Sequence, residues 1–155
     1  MPKIETNPEK IERLLTRGVA EVIERDHLKA ALLSGKQLRV KLGFDPTGGK
    51  IHIGRANILR KLRAFQDLGH KVVFIVGDFT ARIGDPSDKL DKRPTLTEEQ
   101  IKENIKNYKS QVAKIVDIKK AEFVFNSEWL KKLNFLDVLN LADAFTLNQM
   151  SARRN

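Results

Sequence analysis

A strand that breaks into glycines and re-forms as a helix is the pattern that most constrains this chain. Residues 41–55 read Lys-Leu-Gly-Phe-Asp-Pro-Thr-Gly-Gly-Lys-Ile-His-Ile-Gly-Arg. Val40, Leu42 and Phe44 alternate as a strand does, Gly48 and Gly49 make a turn, and Ile58, Leu62 and Phe65 then recur at helical spacing. In α/β proteins such a junction holds phosphates, because unpaired backbone N–H groups and the positive end of the helix dipole converge there. His52 and Gly54 stand at that junction. A second turn, Gly84-Asp85-Pro86-Ser87-Asp88-Lys89, follows the next strand. Two such turns at successive strand ends would form one site.

The rest of the pattern fits that unit. Asn7-Pro8-Glu9 reads as a helix cap with proline at the first helical position, followed by an apolar face of Ile11, Leu14, Leu15 and Val19. A second helix is expected over Val22 to Leu33, a strand over Leu38 to Phe44, and a helix over Gly54 to Leu68 ended by Gly69. Lys71 to Gly77 is a continuous apolar strand, which predicts a parallel sheet covered on both faces. Asp78 to Leu96 is a long loop, a length often given to function. Thr97-Glu98-Glu99-Gln100 is a capping box opening a helix with Ile101, Ile105, Tyr108, Val112 and Ile115 on one stripe. Glu122 to Phe125 is a third strand, and Ser127 to Lys132 and Phe135 to Thr146 read as helices. The alternation predicts an α/β fold, a Rossmann-like parallel sheet with flanking helices and right-handed crossovers. One such half-fold is visible. It divides the chain into an N-terminal helical segment (1–36), a nucleotide-binding half (37–126) and the start of a helical region (127–155).

Composition narrows the classes. At 155 residues with 41% apolar content, the chain supports one core. It has no cysteine, which excludes a disulfide framework and a Cys-ligated zinc site and suits a reducing cytosol. Three scattered histidines point to no metal site. No apolar run reaches the roughly 18 residues of a membrane span, and Met1-Pro2-Lys3-Ile4-Glu5 is no signal peptide. The expected location is therefore the cytoplasm, with no membrane partner. The net charge of +9 favours polyanions such as nucleic acid. A lysine-rich surface kept for solubility is the alternative, since the basic residues are spread along the chain.

Gly43, Gly48, Gly49 and Gly54 permit close backbone approach by a ligand, or serve turn geometry alone. The spacing is neither a Walker A loop nor a dinucleotide Gly-x-Gly-x-x-Gly. His52, before a helix N-terminus, can donate to phosphate oxygen, whereas His27 and His70 read as surface or packing residues. Asp45-Pro46 and Asp85-Pro86 each put a carboxylate in a turn after a strand, suited to holding an ammonium group. Thr47 and Ser87 offer hydroxyls, and Lys89 and Arg93 can neutralise phosphate charge.

In order, Gly-Phe-Asp-Pro-Thr (43–47), His-Ile-Gly (52–54), Phe65 to His70, Val76-Gly77-Asp78-Phe79-Thr80, Ile83 to Ser87, Pro94-x-Leu96-Thr97 and Phe125 to Leu130 resemble bacterial tyrosyl-tRNA synthetases. The similarity runs from about Leu15 onward and matches the N-terminal part of their catalytic domain. The resemblance implies a class I aminoacyl-tRNA synthetase that joins tyrosine to ATP with Mg²⁺, releases pyrophosphate and then esterifies tRNA. It implies that Thr47, His52 and Arg55 contact the ATP phosphates, that Gly54 lies against the nucleotide, and that Gly43 and Asp45 line the adenylate pocket. Asp85 would hold the tyrosine ammonium, with Thr80 and Lys41 also on the substrate side. Lys89 and Arg93 would grip pyrophosphate. The family is homodimeric, and Phe135, Val138, Leu139, Leu141 and Phe145 fall in the region that contributes to the interface, or else pack in a core.

Three positions depart from the family pattern. Arg55 stands where the signature has a second histidine, Asp88 replaces a glycine, and Lys41 replaces a tyrosine, as in one branch of the family. The second half-fold and a Lys-Met-Ser-Lys-Ser loop are not among these residues, so at most feeble tyrosine activation is expected of them alone. Two other readings remain. One is a nucleotidylyltransferase outside the synthetases, and the other is a basic nucleic-acid-binding module.

Overall fold

Three parallel strands, β1 (Arg39–Phe44), β2 (Lys71–Val76) and β3 (Glu122–Phe125), make one sheet in the order β1-β2-β3. The computed structural model describes residues 3–83 and 96–152. Seven α-helices and one 3₁₀ helix (Thr80–Arg82) accompany the strands among the described residues, the α-helices being α1 (Pro8–Thr16), α2 (Arg25–Leu33), α3 (Ile53–Asp67), α4 (Glu98–Val112), α5 (Ser127–Leu130), α6 (Phe135–Asp143) and α7 (Leu147–Ala152). The register pairs Phe44 with Val76 and Val76 with Phe125, so the three strands end level. Each crossover contains a helix, α3 between β1 and β2 and α4 between β2 and β3.

Alternation along the strands decides which face is filled. Val40, Leu42 and Phe44, then Val72, Phe74 and Val76, then Phe123 share one face by register. That face packs on Leu59 and Leu62 of α3 and on Tyr108 and Val112 of α4. Phe74 is fully buried at its centre, stacked on Phe123 at 4.9 Å and edge-on to Phe44 at 6.4 Å. A second cluster joins Ile11, Leu14 and Leu15 of α1 to Leu32 of α2 and Leu68. The capping box of α4 forms as expected, with the Thr97 hydroxyl accepting from the Gln100 N–H and the Gln100 side chain accepting from the Thr97 N–H.

The other face is more open among the described residues. Among the described residues it is not covered by helices, and Lys41 and Gly43 are exposed there. Val73 is buried on that face all the same. The Arg39 guanidinium on β1 reaches Glu122 on β3 at 2.7 Å, an ion pair that must cross β2 beside Val73. The apolar run of β2 therefore reflects its central position, and it is flanked on both edges. Helix boundaries shift slightly from the sequence reading: α2 starts at Arg25, and a further short helix, α7, follows α6.

Helix α3 ends where Gly69 adopts φ +91°, and a Cβ there would stand 2.6 Å from the Lys3 carbonyl oxygen. The next residue, His70, is buried. Its Nδ1 accepts the Leu38 N–H at 3.3 Å, while Nε2 has no partner. Burial lowers the His70 pKa. Its folded value lies below the unfolded one near 6.5, so protonation favours unfolding. The stability held by the neutral ring is complete above that value and is lost as pH falls below it. The urea midpoint is expected to drop between about pH 7 and pH 5, and that drop is expected to vanish in His70→Gln.

Candidate active site

The level strand ends meet at a depression of about 300 Å³ lined by Gly43, Phe44, Asp45, Ile75, Gly77 and Asn126. A chain of hydrogen bonds ties its rim together. The Thr80 hydroxyl donates to Asp45 Oδ1 at 2.6 Å, and Asn126 Nδ2 donates to Thr80 Oγ1 at 2.9 Å. Asn126 Oδ1 accepts the Phe79 N–H at 3.0 Å, and the Asn126 N–H donates to the Val76 carbonyl at 2.9 Å. One residue after β3 thus fixes the turn after β2, which in turn orients the carboxylate after β1. Asn126 is buried, so its amide has these partners in place of water. Gly77 makes the approach possible: a Cβ there would overlap the Asp45 carboxylate and stand 2.5 Å from Thr80 Oγ1.

The turn between β1 and α3 is held from outside. Pro46 is fully buried and its carbonyl accepts from Asn104 Nδ2 at 3.0 Å. Gln111 Nε2 donates to the Gly49 carbonyl at 2.6 Å, and Gln111 Oε1 accepts the Ile51 N–H at 2.9 Å. Asn104 and Gln111 are seven residues, two turns, apart on α4, so one face of that helix clamps both ends of the turn. Gln111→Leu is expected to speed amide exchange at Ile51 by about fivefold, since a net bond of ~1 kcal/mol is lost. Hydrogen exchange followed residue by residue checks this.

Helix α3 begins without the devices that close other helices here. His52 is its N-cap in an extended conformation, its side chain makes no capping bond, and the first turn holds no acidic residue. By contrast α1, α4 and α6 are capped by Asn7, Thr97 and Asn134. The first N–H groups of α3 therefore have no side-chain cap, and the positive end of the helix dipole meets no acidic residue of its own first turn. A Cβ on Gly54 would meet only the His52 imidazole, at 3.1 Å, so the ring lies over Gly54. Arg55 is half-buried and near Tyr108, whose phenol is pushed up by burial and held down in part by the Arg55 charge. The Tyr108 ring stacks on Phe44 at 3.7 Å.

Of the residues singled out from sequence, Gly43, Asp45 and Thr80 come together at the strand ends. His52, Gly54 and Arg55 sit at the start of α3, with exposed Thr47 on the connecting turn. Lys41 is exposed on the open face of β1, two residues before Gly43 and on the same side. Asp85, Lys89 and Arg93, with Ser87 and Asp88, lie outside the described residues. Four residues that the sequence reading gave no site role complete the arrangement: Gly77, Asn126, Asn104 and Gln111. Only the first two carried a signal, by directly following strands.

The family model for class I tRNA synthetases of the tryptophan and tyrosine type matches residues 33–155. The tyrosine–tRNA ligase of Dehalococcoides mccartyi strain 195 is 53% identical over 144 residues, covering 93% of this chain and 36% of the relative. That of Thermotoga maritima is 49% identical over 146 residues, covering 94% and 36%. The chain thus spans little more than a third of the length of these curated relatives. Among solved structures, the tyrosyl-tRNA synthetase of Archaeoglobus fulgidus complexed with L-tyrosine superposes with a TM-score of 0.71 at 30% identity, covering 90% of this chain and 41% of that one. The Pyrococcus horikoshii enzyme gives 0.67 at 27% identity, covering 92% and 38%.

Proposed function

The chain belongs to the class I tRNA synthetases of the tryptophan and tyrosine type, and we propose that it supplies the ATP-binding half of a tyrosine-activating site. Membership of this family sets aside both a nucleotidylyltransferase outside the synthetases and a bare nucleic-acid-binding module. Tyrosine is favoured over tryptophan because the similar curated proteins are tyrosine–tRNA ligases. The observation that carries the reading is the start of α3, uncapped and without an acidic residue in its first turn, at the end of the turn that follows the Asp45 carboxylate held by Thr80.

In that reading the tyrosine carboxylate attacks the α-phosphorus of ATP in line, and pyrophosphate leaves. Little proton transfer is needed, so position and charge supply the rate. The N–H groups of the first turn of α3, with His52, Thr47 and Arg55, meet the negative charge that develops on the phosphates. Gly54 lets the nucleotide lie on the helix end, Gly43 and Asp45 border the adenylate, and Thr80 holds Asp45. Asp85 takes the tyrosine ammonium, Lys41 faces the substrate side, and Lys89 and Arg93 take pyrophosphate. Magnesium enters with the triphosphate. Among the described residues no three His, Asp or Glu side chains gather to hold an ion. The nucleotide-binding part is residues 37–126, between a helical segment (1–36) and the start of a helical region (127–155). The tyrosyl group then passes to tRNA, whose approach the charge of +9 favours. The setting is the cytoplasm.

We propose that α6 and α7 contribute to a homodimer interface. Phe135, Leu136, Leu139, Leu141 and Leu147 are between 49% and 81% exposed, too many apolar side chains for a solvated surface. Of the two roles open to Phe135, Val138, Leu139, Leu141 and Phe145, their exposure favours an interface.

Residues 1–155 span little more than a third of the curated relatives, so alone they are expected to activate tyrosine at most weakly. ATP–pyrophosphate exchange tests this in the chain as given and in a chimera with the uncovered part of the Thermotoga maritima ligase. Tyrosine-dependent exchange is expected in the chimera. Exchange driven by another amino acid would sink the assignment.

A further inference from the structure

Away from the strand ends, a cavity of about 800 Å³ lies between α1 and α3, and cations line it from both sides. Arg13 and Arg17 come from α1 and its C-terminal end, and Arg60 and Lys61 come from α3. In sequence these residues are more than forty positions apart, so the gathering is a product of the fold. The face of α3 used is the Asn57, Lys61, Ala64, Leu68 stripe, distinct from the Leu59 and Leu62 face that meets the sheet.

The charges are not compensated from within. Asp67 lines the cavity but is engaged by Arg63 at 2.7 Å, and Lys10 is engaged by Glu5 at 2.6 Å. Among the described residues no carboxylate pairs with Arg13, Arg17 or Arg60. Lys61 Nζ donates to the Leu14 and Arg17 carbonyls, each at 2.7 Å, which holds the ammonium in place and leaves a third N–H for the cavity. Burial lowers the Lys61 pKa, and Arg17 lowers it further, so the repulsion between cations is felt there. A volume of this order suits a ligand of nucleotide size. Guanidinium forks match phosphate oxygens in geometry and charge.

We propose that this cavity is a second anion site, in which Arg13, Arg17, Arg60 and Lys61 bind a phosphate-bearing ligand. It does not rest on the adenylate reading, because it uses different residues on a different face of α3. The ligand's phosphate comes either from a free polyphosphate or from an RNA backbone, and the test separates the two sources.

Tripolyphosphate and a short single-stranded RNA are each titrated calorimetrically into the chain at fixed ionic strength. The variants are Arg13→Gln, Arg17→Gln and Arg60→Gln, with Lys114→Gln and Lys132→Gln, equally exposed but away from the cavity, as controls. All are also made on His52→Ala, so that anion bound at the start of α3 is subtracted. Each arginine variant is expected to weaken binding by about tenfold, as loss of a charge-assisted bond does, with the controls changing it at most about twofold. If only tripolyphosphate responds, the ligand is a free polyphosphate. If only RNA responds, and its salt dependence falls with each arginine removed, the source is the RNA backbone. Binding of both probes that ignores the three arginines, or that falls equally in the lysine controls, overturns the proposal.

Discussion

Gly77→Ala is expected to destabilise the fold by about 2–3 kcal/mol, as overpacking does, and to weaken ligand binding at the strand ends. Gly77 follows β2 directly, its N–H donates to the Phe44 carbonyl at 2.8 Å, and its Cα hydrogens face the Asp45 carboxylate. A methyl group there overlaps that carboxylate and crowds the Thr80 hydroxyl at 2.5 Å. The methyl group is accommodated only if Asp45 turns away and gives up its bond to Thr80. Asp45 is bonded to Thr80, and Thr80 is bonded to Asn126, which β3 positions from across the sheet. The clash is local, so removing the carboxylate should relieve it. In urea unfolding, Asp45→Gly is expected to cost less on Gly77→Ala than on the parent chain, by roughly 1 kcal/mol or more. Strict additivity would mean that the two residues do not press on one another.

His52→Ala is expected to slow tyrosine activation by about 10²–10³-fold, the loss typical of one preorganised donor to developing charge. The reason lies in what α3 lacks. Its N-terminus has no side-chain cap and no acidic residue in its first turn, so in the proposed reading His52 and the first N–H groups are the donors offered to an incoming phosphate. The imidazole lies over Gly54, 3.1 Å from where a Cβ would be. Gly54→Ala is therefore expected to tilt the ring and reproduce part of the loss. The fold should be indifferent to His52→Ala, since the side chain is exposed and makes no capping bond. Pre-steady-state rates of adenylate formation in the chimera measure this, with thermal unfolding as the control. A loss confined to stability would give His52 a structural role instead.

The sheet and its two crossover helices were legible in the sequence because their signals are local. Alternation marks β1, the capping box marks α4, and Gly69 marks the end of α3. The strand-to-helix junction was legible for the same reason. Other features depend on partners far away in sequence. Gln111 reads as an ordinary polar helix residue, and only the fold brings it to Gly49, 62 positions away. The link from Asn126 to Thr80 spans 46 positions, and no periodicity predicts it. Cover over the second face of the sheet is not legible from β2, because its apolar run looks the same whether helices cover it or, as among the described residues, an ion pair crosses it. Basic residues that looked scattered along the chain converge at Arg13, Arg17, Arg60 and Lys61.

The central claim is that the turn before α3 and the network at the strand ends form one adenylate-binding surface. Titration of a sulfamoyl analogue of tyrosyl-adenylate into the ¹⁵N-labelled chain tests it most directly. The analogue lacks a phosphate, so it should leave the cavity between α1 and α3 unfilled. The account predicts amide shifts at Gly43, Asp45, Gly54, Arg55, Gly77 and Phe79 together, with loss of those at Gly54 and Arg55 in His52→Ala. Shifts confined to residues such as Gly18, Asn57 and Arg60, or a pattern that His52→Ala leaves unchanged, would contradict it.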